Sequence, residues 1–184
     1  DGFARLIWQW VPTFLVSIVA GDGGSVDNGG GWYDAGATVT VTATPDDASQ
    51  AFVKWSGDVP AAQIHDPVLQ LTCDGPLNIT SHFGKAWYVA TTGSDTENDG
   101  LTPAAPFATI AKGIASASAG EVVLVGPGNY NVATPMTVDK GITIRGTAGA
   151  NQTMVTRTAG DPTIQLGHAD AVVEGIHFTK GNSQ

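Results

Sequence analysis

Three stretches decide the fold: Val122-Val-Leu-Val125, Ile142-Thr-Ile-Arg145 and Thr163-Ile-Gln-Leu166. They begin 20 and 21 residues apart, and turns rich in Gly, Asn and Asp separate them. Secondary strand patterns fit between them, around Met136–Val138, Met154–Thr156 and Val172–Phe178. A recurrence of that length, built from short strands and tight turns, is one coil of a parallel β-helix, in which each coil buries its apolar interior against its neighbours. The reading therefore stacks the three quoted stretches as successive rungs.

Immediately upstream, Trp87–Ala90 is a short strand pattern followed by the polar loop Thr91–Gly100. A helix is predicted over Pro106 to about Ala119, because Phe107, Ile110, Ala111, Ile114 and Ala117 fall on one face and Gly120 stops it. The end of a β-helix exposes an apolar cross-section and open strand edges, which template aggregation. The helix is expected to lie across that end as a lid. Two to three coils fit before Gln184, and Ile176 and Phe178 sit near the stop. The expectation is a truncated β-helix, or one whose last coil another subunit covers.

The first half reads as a separate small β-module. In Thr38–Thr44, threonine alternates with Val39, Val41 and Ala43, the period of a strand with one wet face. Leu69, Leu71 and Cys73 share a face of a second strand, and Leu77, Ile79, Ser81 and Phe83 share a face of a third. Phe52–Trp55 and Leu15–Ala20 are further strands, with hairpin-type turns expected at Gly21–Gly24 and Gly29–Gly31.

Both halves carry a resemblance. The run from Val19 through Gly31-Trp-Tyr-Asp to Pro45, the segment Phe52-Val-Lys-Trp-Ser-Gly-Asp58 and the closing Leu69–Gly75 together resemble internalin B-type bacterial surface repeats. That resemblance covers roughly residues 14–83 and implies a β-grasp-like fold found in tandem on secreted or cell-wall proteins. Residues 1–13, with Ile7-Trp-Gln-Trp10, then look like the closing strand of a preceding repeat. Tyr88–Pro103, Pro106-Phe-Ala-Thr-Ile110 and Gly120–Tyr130 resemble the entrance of right-handed parallel β-helices of the pectate-lyase-like superfamily. Lyases, hydrolases, tailspikes and adhesins share that entrance, so it speaks for fold and not for activity. The fold class expected is mostly all-β. It comprises a linker or closing strand (1–13), a repeat module (14–84) and a capped β-helix start (85–184), with Gly84–Ala86 as a short junction.

Composition narrows the function classes. Of 184 residues, 17 are acidic and 8 basic, a net charge of −9, with the basic residues scattered singly. That balance repels a nucleic-acid backbone. One cysteine, Cys73, leaves no internal disulfide and no cysteine-based zinc site. No apolar run approaches the ~20 residues of a membrane span, and Val11–Ala20 is a poor signal peptide. A chain that starts at Asp1 is read as a processed product or a piece of something longer.

Candidate chemistry is sparse. Asp95, Glu97 and Asp99 alternate before Gly100, as in the first half of a calcium loop, but Pro106 stands where the bidentate acid is expected. The alternative is an Asx-rich turn bonding local backbone. Polysaccharide lyases need a basic residue and stacked carboxylates. Arg145, Arg157, Lys140, Asp139, Asp161, Asp170 and Glu174 form no ladder from coil to coil in the sequence, which reads as isolated solvated charges. The four histidines show no ligand spacing. Trp8, Trp10, Trp32, Tyr33 and Trp55 are candidates for stacking on sugar rings. The alternative is packing within or between β-modules: Trp32 and Trp55 are expected in the core, whereas Trp8 and Trp10 share one face of an opening strand, exposed as a glycan platform if the preceding repeat is missing. The leading expectation is a non-catalytic structural or adhesive module of a large extracellular bacterial protein, with neighbouring repeats or subunits as partners. The alternatives are the front of a polysaccharide lyase or glycosidase with catalytic coils beyond Gln184, or a glycan-binding module.

Overall fold

The structure is a computed structural model and describes residues 8–157 and 163–180. Its first half contains β1 (Thr13–Ala20), β2 (Gly24–Val26), β3 (Gly30–Asp34), β4 (Thr38–Pro45), β5 (Gln50–Gly57), β6 (Val68–Thr72) and β7 (Leu77–Val89), with a 3₁₀ turn at Ala61–Gln63. The alternation in β4 does what its period dictates: Val39, Val41 and Ala43 are buried, while Thr38, Thr40 and Thr44 face water. β2, β4 and β6 form one antiparallel sheet. β3, β1, β7 and β5 form the facing one, in which β1 runs parallel to β7. Between them Trp55 is fully buried, packs on Phe52 at 5.4 Å between ring centroids, and donates its indole N–H to the Asp66 carbonyl at 2.8 Å.

The two glycine-rich turns are not hairpins. Gly21–Gly24 carries the chain from β1 in one sheet to β2 in the other, and Gly30 and Gly31 lie inside β3. At Gly30 the backbone passes so close to β1 that a Cβ would meet the Val16 carbonyl oxygen at 2.1 Å. Close strand approach, rather than chain reversal, is what demands glycine there.

The second half contains α1 (Ile110–Ser116), β8 (Val122–Val125), β9 (Gly128–Val132), β10 (Met136–Val138), β11 (Thr143–Gly146), β12 (Thr153–Arg157), β13 (Ile164–Leu166), β14 (Val172–Glu174) and β15 (His177–Lys180). All pair in parallel: β7-β8-β11-β14, β9-β12-β15 and β10-β13. Three parallel ladders traversed in turn are the coils of a β-helix. Its interior holds Val123, Val125, Tyr130, Met136, Val138, Ile144 and Val155.

The rung assignment needs one correction. Val122 pairs with Thr143, close to the spacing expected, but the third rung is Val172–Glu174. Ile164–Leu166 instead lies on Met136–Val138 in another ladder. Coils of this fold differ in loop length, so fixed spacing identifies strands without assigning them to ladders.

The helix is shorter than its apolar face predicts. Phe107 is buried but belongs to a parallel bridge with Val89, and α1 begins only after Thr109, whose hydroxyl accepts from the Lys112 amide at 3.2 Å. Ala111 is exposed. The lid role holds: Ile110 and Ile114 pack into the β-helix core, and a Cβ on Gly113 would sit 2.7 Å from a Val123 methyl. The lysine Lys140 ties the lid down, donating to the carbonyls of Ile114 (2.9 Å) and Ala117 (2.6 Å), where the helix dipole favours a cation.

Gly84–Ala86 is strand. β7 runs unbroken from the repeat into the first rung, pairing with β1 and β5 through its first part and with β8 through Ala86–Val89. The outer face of that rung is covered by the repeat: Ala51, Ala86 and Val122 form a buried cluster flanked by Val53, Tyr88 and Leu124.

Candidate functional site

The acidic loop is organised around the start of the lid. Asp95 accepts from the amides of Ala108 (2.8 Å) and Thr109 (3.0 Å) and from the Thr109 hydroxyl (2.6 Å). Its carboxylate thus holds the helix N-cap residue. Asp99 accepts from the Leu101 amide at 3.0 Å in an Asx turn, and the Asn98 amide donates to the Pro106 carbonyl at 2.7 Å. Among the described residues no group of three or more His, Cys, Asp or Glu side chains is placed to hold a metal ion. Asp95, Glu97 and Asp99 are therefore not gathered into one cation cage.

Arg145 projects from β11 toward the repeat. Its guanidinium pairs through Nε with the Glu174 carboxylate one rung further on and donates through Nη1 to the Phe52 carbonyl at 2.7 Å. The expected rung spacing puts Gln165 one coil after Arg145 and so passes over Glu174, whose rung comes later in the chain. The pair is a junction between the modules and leaves Arg145 engaged on both sides. Asp161 lies outside the described residues.

Aromatic residues are the other candidates. Trp8 and Trp10 are 77% and 92% exposed, and they precede β1 in a segment with no regular structure, so no strand gives them a common face. The part of the expected opening strand at residues 1–7 lies outside the described residues. Trp32 is a correction: it is 71% exposed, because β3 directs Tyr33 toward the core and Trp32 away from it. Opposite Trp32 in register stands Leu15, also exposed, with Val19 further along β1. The expectation that Trp32 belongs to the core hides this apolar stripe. The odd-numbered apolar residues Leu15 and Val19, flanking the inward Val16 and Ile18, carried the signal.

The remaining candidates are structural. Cys73 is buried with Leu69 and Leu71 on the inner face of the repeat. His82 joins the Ser56 hydroxyl through Nε2 at 2.6 Å. Burial raises the pKa of the Tyr130 phenol, and the O–H donates to the Gly126 carbonyl at 2.9 Å. Tyr88 is also raised, first by burial and second by the nearby Asp47 carboxylate, and its O–H donates to the Ala48 carbonyl at 2.7 Å. Both tyrosines are pillars of the β-helix start.

Comparison with known proteins finds two family matches in the chain. Residues 14–86 match the divergent InlB B-repeat domain, and residues 91–174 match a family described as protein of unknown function (DUF1565). No curated protein and no solved structure matches the chain. Each match covers less than half of the 184 residues; the first ends within strand β7 (Leu77–Val89), and the second begins just after that strand closes.

Proposed function

We propose that this chain is a non-catalytic structural and adhesive unit of a secreted or surface-displayed bacterial protein, in which the repeat and the β-helix act as one stiff piece. The observation that carries the reading is β7: a single strand belongs to both modules, and the outer face of the β-helix's first rung is the repeat's own packing surface. A spacer gains from this because bending between the modules would break a strand ladder and expose Val122. The match to an InlB-type repeat supports an extracellular setting. No helix is long and apolar enough to cross a membrane among the described residues, which is compatible with a module held outside the cell by other means.

The test has two parts. Antibodies against this chain should label intact, unpermeabilised cells of the producing bacterium or its culture medium. The purified chain should release no sugar from a panel of acidic and neutral polysaccharides. Labelling only after lysis would overturn the location, and turnover of any polysaccharide would overturn the non-catalytic role.

A second reading, glycan binding, is favoured by the exposure of Trp8, Trp10 and Trp32, since aromatic faces left in water are suited to stacking on sugar rings. It requires binding on a glycan array that is lost in Trp8→Ala/Trp10→Ala or in Trp32→Ala.

A further inference from the structure

Among the described residues, only one of the three strands in the first coil of the β-helix has its outer edge closed. β8 is covered by β7, and β7 is covered in turn: the Tyr88 amide donates to Gly100 (2.8 Å), and the Phe107 amide to Tyr88 (2.8 Å). β9 and β10, by contrast, each pair on one side alone, with β12 and β13.

The hydrogen-bond pattern shows which groups this leaves free. The Gly128 amide donates to Gln152 at 2.8 Å, so in a parallel ladder Gly128, Tyr130 and Val132 turn their main chain toward β12. Asn129 and Asn131 turn theirs away. On β10 the Met136 amide donates to Thr163 and the Val138 carbonyl accepts from Gly167, so Thr137 is the residue facing outward along the sheet. No hydrogen bond within the described residues takes up the main-chain groups of Asn129, Asn131 or Thr137 on that side.

These groups open into a cavity of about 680 Å³ between the strand edges and α1. Ala111, Ala115, Val132 and Pro135 contribute apolar surface to it. Its charged groups are unequal. Lys140 is held by the helix carbonyls, whereas Asp139 is exposed and has no ion-pair partner among the described residues. The site therefore offers main-chain donors and acceptors, an apolar wall and one free negative charge, on a chain of net charge −9.

We propose that this groove is a strand-acceptor site. It takes an extended polypeptide segment, neutral or basic and apolar at alternate positions, which adds to the edge of β9 and lays its apolar side chains against α1. Main-chain hydrogen bonds to Asn129 and Asn131 supply the affinity, and the wall selects the side chains. An acidic segment is disfavoured by Asp139 and the overall charge. The inference stands on the edge geometry and is independent of the cellular location proposed above.

The test uses the whole chain and the blocked peptide Lys-Val-Thr-Val-Thr-Val-Lys carrying a fluorophore, followed by anisotropy. Saturable micromolar binding is expected. Replacing the central valine of the peptide by proline, which removes a pairing N–H, should weaken it by about tenfold or more. Asn131→Pro removes an N–H that faces the groove rather than β12, a position where an edge strand accepts proline, and should cause a similar loss. Should that variant unfold, Ala111→Phe, which fills the groove from an exposed position on α1, provides the second arm with the same expected loss. Bound peptide should slow amide exchange at Asn129, Asn131 and Thr137. Absence of saturable binding, equal binding of the proline-containing peptide, or indifference to whichever groove variant folds would overturn the proposal. So would displacement of the peptide by a second copy of the chain, seen as a dimer in sedimentation that Ala111→Phe dissolves.

Discussion

β4 and β8 both carry valine on a buried face, yet they encode opposite environments. In β4 every second residue is threonine, and only one face of the strand is buried. In β8 the run Val122-Val-Leu-Val125 has no polar position: Val123 and Val125 face the β-helix interior, while Val122 and Leu124 face the repeat. Alternation marks a strand with water on one side, and an unbroken apolar run marks one covered on both. The run in β8 thus recorded the docking of two modules, which periodicity alone had assigned to coil stacking.

The sharpest way to break this contrast is to place a charge on the covered side. Val122→Asp buries an unpaired carboxylate between the modules and should cost about 3–5 kcal/mol. Because β7 and β8 hold both halves together, urea denaturation should show one transition shifted as a whole. Two separate transitions, with the repeat unaffected, would show that the modules fold independently and that the coverage of Val122 is incidental.

Arg145→Met probes the same interface at its polar margin. It leaves Glu174 without its cation and the Phe52 carbonyl without its donor, and should cost about 1–3 kcal/mol. The double variant Arg145→Met/Glu174→Gln should recover part of the loss, as measured by a double-mutant cycle.

This margin also shows where sequence reading stops. The strands of the repeat were legible because Val39, Val41, Leu69, Leu71 and Ile79 alternate, and alternation is local. Ladder membership is not local: Ile164 stacks on Met136 because a longer coil intervenes, and no spacing announces that. A better guide was present in Arg145-Gly146 and Glu174-Gly175, similar strand ends 29 residues apart, in register as Arg145↔Glu174. The groove was illegible for another reason. It is lined by main-chain groups at a strand edge, and main-chain exposure leaves no signature in side-chain identity beyond the polar Asn129 and Asn131 around a buried Tyr130.

At the lid, Asp95→Ala removes one carboxylate from two amides and a hydroxyl and should cost about 1–2 kcal/mol. Thermal melts should show the same loss with calcium and with chelator. A calcium-dependent rise in the wild-type Tm that Asp99→Ala abolishes would instead restore an ion to the loop.

A smaller effect is expected in alkali. Burial raises the phenols of Tyr130 and Tyr88 in the folded chain, while the unfolded chain ionises near pH 10. The folded state then holds its protons longer, so the stability present below that pH declines as pH rises through the folded values. Tyr130→Phe should flatten the decline in urea midpoint between about pH 9 and 11. An unchanged slope would mean that Tyr130 ionises alike in both states.

The smallest effect belongs to the wet face of β4. Thr40 is exposed and pairs across the sheet with Gln70, itself exposed. Thr40→Lys adds a charge that water solvates fully and, on a chain of net charge −9, reduces self-repulsion. The change in unfolding free energy should stay within about 0.5 kcal/mol. Its value lies in the pairing with Val122→Asp, since both place a charge on a strand side chain that points away from its own module's core. If face direction alone decided the cost, the two would behave alike. A large loss from Thr40→Lys would mean that the threonine face of β4 is also covered, and that the alternation in its sequence records something other than contact with water.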